Sequence, residues 1–169
     1  MIKAILHMCT CLAIVLTPQL QTAPTPKLVA VARAGVTTVT GGAAAQEVLV
    51  RIRTHELRNS ERKELSKASR CRGDVTLCSI VDSIEIIVRG HPLNVPLCVF
   101  CDLADLHYAQ LTVNEDHSIL TLDGGDASTS YIVKVYFDRK MVRRRTAAPG
   151  EIPDQLLEET SYYSPVLGN

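Results

Sequence analysis

The chain has 169 residues, 46% hydrophobic and 21% charged, with 18 basic and 18 acidic side chains. Length and composition fit one compact domain and exclude a disordered or collagen-like chain. A formal charge of zero sets up no global field to draw nucleic acid, and no Trp, two Phe and five Tyr are too few for a base-stacking platform.

Met1-Ile2-Lys3 supplies a basic start, residues 4–16 (AILHMCTCLAIVL) are largely apolar, and no acidic residue occurs before Glu47. That run is shorter than the roughly 20 apolar residues of a spanning helix, so no integral membrane span is expected. A charged start, a short apolar stretch and then Pro18, Pro24 and Pro26 make the pattern of a secretory signal peptide. It is expected over residues 1–23, with cleavage after Ala23, or after Ala30-Val31-Ala32, or as late as Ala45. Residues 24–46, rich in Thr, Ala and Gly, read as a flexible tether or leader remainder, and 47–169 as a single β-rich domain. The expected location is periplasmic or secreted.

From Glu47 onward the apolar period is mostly two. Val48, Val50 and Ile52 alternate with Leu49, Arg51 and Arg53 as a half-buried strand does. Residues 59–69 (NSERKELSKAS) carry charge without a wide apolar stripe and read as a short solvated helix or a loop. Ile84, Ile86 and Val88 form the next strand face, and Gly90-His91-Pro92 turns it into a short partner over 93–96. A second short helix is expected within 98–107. Leu111 and Val113, the polar run 114–118, and 119–122 read as a hairpin. Residues 130–138 give the clearest strand, with Tyr131, Val133, Val135 and Phe137 on one face; 141–145 follow, and 160–163 suit a last edge strand. The expected fold is mainly β: a small antiparallel sandwich or partial barrel with one or two short helices.

Of six cysteines, Cys71, Cys78, Cys98 and Cys101 lie beyond the leader. An even number in an exported chain implies disulfides, and four cysteines allow three connectivities. The local bridges Cys71–Cys78 and Cys98–Cys101 each close a short loop, whereas the crossed pairings would staple the basic segment onto the sheet. Two sharper readings compete. Cys98-Val99-Phe100-Cys101 has the spacing of a redox dithiol, but the βαβ surroundings are missing. The second pair also suits zinc, whereas the first is too widely spaced for the usual knuckle.

Asp123, Gly124, Gly125, Asp126 and Ser128 offer hard oxygens for calcium, yet two glycines beside Asp and Ser equally make a tight turn with φ > 0, and the structural turn is expected. His55, His91, His107 and His117 fall in no nucleophile or metal-helix motif. His107 and Tyr108 beside Asp102 and Asp105 read as a polar surface cluster, with the two carboxylates sharing a helix face. Charge comes in blocks. Residues 51–72 hold eight basic and three acidic side chains, 74–137 nine acidic and two basic, 138–145 five basic and one acidic, and 146–169 four acidic and none basic. The blocks either neutralise one another across the fold or leave Arg139, Lys140, Arg143, Arg144 and Arg145 as a basic binding edge.

These readings converge on an exported, disulfide-stabilised binding module of inhibitor, immunity or adaptor type, acting on another envelope or secreted protein. No catalytic residue, cofactor or metal is expected. The alternatives are a thiol–disulfide redox protein using Cys98 and Cys101, and a structural envelope component without a discrete site.

Overall fold

The computed structural model describes residues 26–43, 46–58, 61, 78–126 and 129–163. Among them the strands run β1 Leu28–Ala30, β2 Gly35–Gly41, β3 Val48–Glu56, β4 Ser79–Val88, β5 His91–Pro92, β6 Leu106–Val113, β7 Ser118–Gly124, β8 Tyr131–Phe137, β9 Val142–Pro149 and β10 Glu158–Ser161. They build two antiparallel sheets, β1-β6-β7-β8-β9-β10 and β2-β3-β4-β5. The expected alternation explains the core. Val48, Val50, Ile52, Ile84, Ile86 and Val88 from the smaller sheet join Leu111, Leu120, Leu122, Val133, Val135 and Phe137 from the larger in one buried cluster. Each such side chain contributes about 1.5–3 kcal/mol on burial, so aliphatic residues build this core despite the shortage of aromatics.

Three sequence expectations are corrected. Residues 28–41, read as tether, form β1 and β2; β2 pairs with β3 over seven residues and buries Val39. The signal was there in the β-branched run 36–40 (VTTVT), masked by the Ala, Thr and Gly around it. The chain crosses between sheets after β1, held by Val31 N–H donating to the His107 carbonyl (2.9 Å) and by the Thr54 hydroxyl donating to the Ala32 carbonyl (2.6 Å).

The helix expected within 98–107 is absent. Leu97–Val99 is a single 3-10 turn, and Leu106 already belongs to β6. The start of β4 captures the intervening backbone: Val81 N–H donates to the Leu103 carbonyl, Asp105 N–H to the Ser79 carbonyl, and Ser79 N–H to Asp105 Oδ1. Asp105 has φ +49, which no right-handed helix accommodates. The third correction is small. The partner of β4 is His91–Pro92, one turn earlier than 93–96, because Arg89 (φ +52) and Gly90 (φ +78) make a tight reversal that twists with the strands. The helix-or-loop segment 59–69 lies outside the described residues, apart from Glu61.

The turn at 123–128 owes its shape to its glycines. Gly125 has φ +76, and its N–H donates to the Asp105 carbonyl (3.0 Å). A Cβ on Gly125 would collide with the Thr129 carbonyl, and one on Gly124 would sit 2.7 Å from Tyr131 Oη and 2.9 Å from the Asp105 carbonyl oxygen. Gly124→Ala and Gly125→Ala are each expected to lower stability by about 1–3 kcal/mol. Thermal denaturation checks this; unchanged melting in both variants would remove the strained turn as a structural requirement.

Candidate functional site

The polar centre of the larger sheet begins with a bulge. The β8–β9 register shifts between Tyr136 and Phe137, so Phe137 pairs with Val142 whereas Tyr136 pairs with Arg144. Without the shift, Val142 and Arg144 would share a face. With it, Val142 and Arg145 both turn inward, and Arg145 is only 2% exposed. Its guanidinium donates to Glu158 Oε1 on β10 (2.6 Å) and to Asp102 Oδ2 in the segment before β6. Thr160 also donates to Glu158 (3.0 Å), while Nε of Arg145 is buried without a hydrogen-bond partner. Burial disfavours the Arg145 charge, but the bonds to Glu158 and Asp102 outweigh it and hold its pKa above the ordinary value. The same bond from Arg145 holds Glu158 below the usual carboxylate value.

Two tyrosines flank the ion triad. Tyr131 bonds both the N–H and the carbonyl of Ala104, and burial pushes its phenol upward. Tyr162, just past β10, accepts a long hydrogen bond from the Cys98 thiol (3.7 Å); burial and then that thiol raise its pKa. Cys98 and Cys101 carry thiols and are not bonded to each other, in place of the expected local bridge. The single 3-10 turn leaves Cys98 exposed and facing Tyr162, whereas Cys101 is half-buried on the next turn. Cys78 is buried against Leu57 and Ala104, and Cys71 lies outside the described residues.

The five residues read as a basic edge are placed otherwise. β9 is an interior strand between β8 and β10. Arg143 pairs with Asp138 (2.6 Å), Arg144 stacks on the Tyr136 ring (4.2 Å) and approaches Glu159 (3.8 Å), and Arg145 is buried in its triad. Arg139 and Lys140 occupy the β8–β9 turn, where Asp138 accepts the Lys140 and Met141 N–H groups. Burial works against the Asp138 charge, yet these bonds and Arg143 bring its pKa below the ordinary value. Opposite blocks meet where Arg144 approaches Glu159, where Arg145 bonds Asp102 and Glu158, and where Arg51 pairs with Glu85 across β3 and β4 (2.9 Å).

The remaining polar candidates are dispersed. Asp102 serves Arg145, Asp105 serves Ser79, and His107 lies 3.9 Å from Asp123, so the expected polar cluster does not assemble. Asp126 accepts from the Thr129 hydroxyl (2.8 Å), and Ser128 lies outside the described residues. His55 Nδ1 is 2.6 Å from Asp82 and its Nε2 is 3.6 Å from Glu61, but no hydroxyl or thiol is bonded to that ring among the described residues.

What sequence reasoning missed is the segment between β9 and β10. Residues 150–157 fold back so that Pro153 and Leu156, with Ile132, Lys134, Tyr136, Arg144, Thr146, Ala148 and Glu159, line a cavity of about 100 Å³ on the outer face of β8 and β9. The loop is pinned by Gly150 N–H to the Ser130 carbonyl and Leu157 N–H to the Ala147 carbonyl. Even so, Ile152, Leu156 and Leu157 remain 54%, 52% and 69% exposed. The only sequence signal was apolar residues without strand or helix periodicity after Pro149 and Gly150. The chain matches no family model, no curated protein and no solved structure with which it was compared.

The triad yields an asymmetric prediction. Neutralising both carboxylates (Asp102→Asn with Glu158→Gln) strands a buried guanidinium and is expected to cost about 3–5 kcal/mol. Arg145→Met leaves two partly exposed carboxylates and is expected to cost far less. Urea denaturation of both variants checks the order, and equal costs would overturn it. The pH sign follows from Glu158. Its lowered folded pKa adds stability above the unfolded carboxylate range, and that stability is lost as pH falls through the folded value. The stability gap between wild type and Glu158→Gln should therefore close in strong acid, measured by denaturation at stepped pH.

Proposed function

We propose that this chain is an exported binding module, stabilised by a Cys71–Cys78 disulfide, that acts on another protein of the cell envelope through the β9–β10 loop and the adjoining edge strand β10. In this reading the two sheets face each other as a sandwich and serve as a rigid frame. The carrying observation is the loop itself: three large apolar side chains, Ile152, Leu156 and Leu157, held out to water by a backbone tied at both ends. Clustered exposed apolar groups on an anchored loop suit recognition of a partner, because they leave water on binding with little further ordering of the chain.

Export fits only an early cleavage. Removal of the leader after Ala23 keeps β1 and β2, cleavage after Ala32 would strip β1, and cleavage after Ala45 would strip both strands and leave β3 with an unpaired edge. A redox role for Cys98 and Cys101 is the weaker reading. A reactive thiolate of that type sits at a helix N-terminus, and Cys98 lies in a three-residue 3-10 turn beside a tyrosine.

The test is capture of envelope proteins on wild-type chain and on the triple variant Ile152→Ser, Leu156→Ser, Leu157→Ser. The variant should stay folded, with a melting temperature lowered only by the partial packing of Leu156 against the outer face of β8 and β9, and should lose a partner held near stoichiometry. Retention of that partner would overturn the loop as the contact. The mass of the exported, alkylated protein should show loss of residues 1–23 and a closed Cys71–Cys78 pair. Four reactive thiols in unreduced protein would overturn export to an oxidising compartment.

A further inference from the structure

Resting on that binding reading, we infer the class of partner: an extended segment bearing Lys or Arg, which docks on β10 as an added antiparallel strand. β10 is the end of the six-stranded sheet and pairs with β9 alone. The ladder couples Glu158 to Ala147 and Thr160 to Arg145, and continues with Tyr162 N–H donating to the Arg143 carbonyl (2.9 Å). Hydrogen bonding alternates along a strand, so the N–H and C=O groups of Glu159 and Ser161 point away from β9. They present the donor–acceptor row that an incoming strand needs.

Charge selects the segment. Residues 146–169 carry Glu151, Asp154, Glu158 and Glu159 and no Lys or Arg. Glu158 is taken by the buried Arg145, and Glu159 has only the 3.8 Å approach of Arg144. Glu151 and Asp154 are exposed and belong to none of the ion pairs among the described residues. An acidic edge beside exposed Ile152, Leu156 and Leu157 complements a segment that alternates apolar and basic side chains. The same acids disfavour a second copy of this chain, because β10 against β10 sets Glu159 near its own equivalent.

The probes are two eight-residue peptides, one alternating Val with Lys and one alternating Val with Glu, titrated against the full chain and followed by amide NMR. The Lys peptide should shift the Glu159 and Ser161 amides, and the Glu peptide should bind at least tenfold more weakly. Ser161→Pro removes only an outward N–H, so it should keep the melting temperature while weakening the Lys peptide at least tenfold. Glu159→Lys should weaken it by a similar factor. Unchanged binding in Ser161→Pro, equal binding of both peptides, no shift at Glu159 and Ser161, or a dimer formed through β10 would each overturn strand addition. Envelope capture separates the two proposals: a partner kept by Ser161→Pro but lost by the triple loop variant overturns the added strand and leaves the loop reading standing.

Discussion

One guanidinium ties the paired strands β9 and β10 to the segment before β6, which lies outside their ladder. Arg145 stands on β9, Asp102 in the segment leading to β6, and Glu158 on β10. Bringing a charge to 2% exposure is costly, and the cost is met only while both carboxylates remain in place. Two groups beyond the triad depend on this arrangement. Tyr131 can grip Ala104 because the segment carrying Asp102 is fixed, and Tyr162 meets Cys98 because β10 lies flat against β9. The strand with the exposed edge is thus the strand that this buried charge fastens down.

Much of the fold was legible in the chain because most strands are half buried and alternate cleanly. Val48 to Ile52, Ile84 to Val88 and Tyr131 to Phe137 keep a strict period of two, and the structure keeps their faces. Reading failed where a long-range partner overrode local preference. Residues 98–107 look helical alone, but β4 takes the backbone groups that a helix would have used. Residues 28–41 look like linker by composition, yet β1 finds β6 and β2 finds β3.

The site was half visible. Arg145 and Asp102 were both singled out, one as part of a basic edge and the other as half of a helical acid pair, and neither role survives. A single inserted residue at the β8–β9 bulge decides which arginine of Arg143-Arg144-Arg145 goes inside, and alternation counted along one strand cannot reveal it. The edge strand expected over 160–163 lies at Glu158–Ser161, which brings Tyr162 close to that reading, whereas Glu158 and the exposed loop left no periodic trace because their positions depend on where β10 docks. The charge blocks left two arrangements open, and opposite runs of sequence do meet at Arg144 with Glu159 and at Arg145 with Asp102 and Glu158.

The crossing of the chain after β1 bears on the order in which the protein is made and folded. Leu28 lies opposite Gln110, so the first strand has no partner until β6 has been synthesised. β2 can close on β3 early, but β1 remains a loose end, and the larger sheet cannot nucleate from its own N-terminus. Such distant pairing makes folding slow and dependent on late chain segments. The N-terminal strand of the larger sheet is therefore among the last of its strands that can be paired, while β2, β3 and β4 can already stand together.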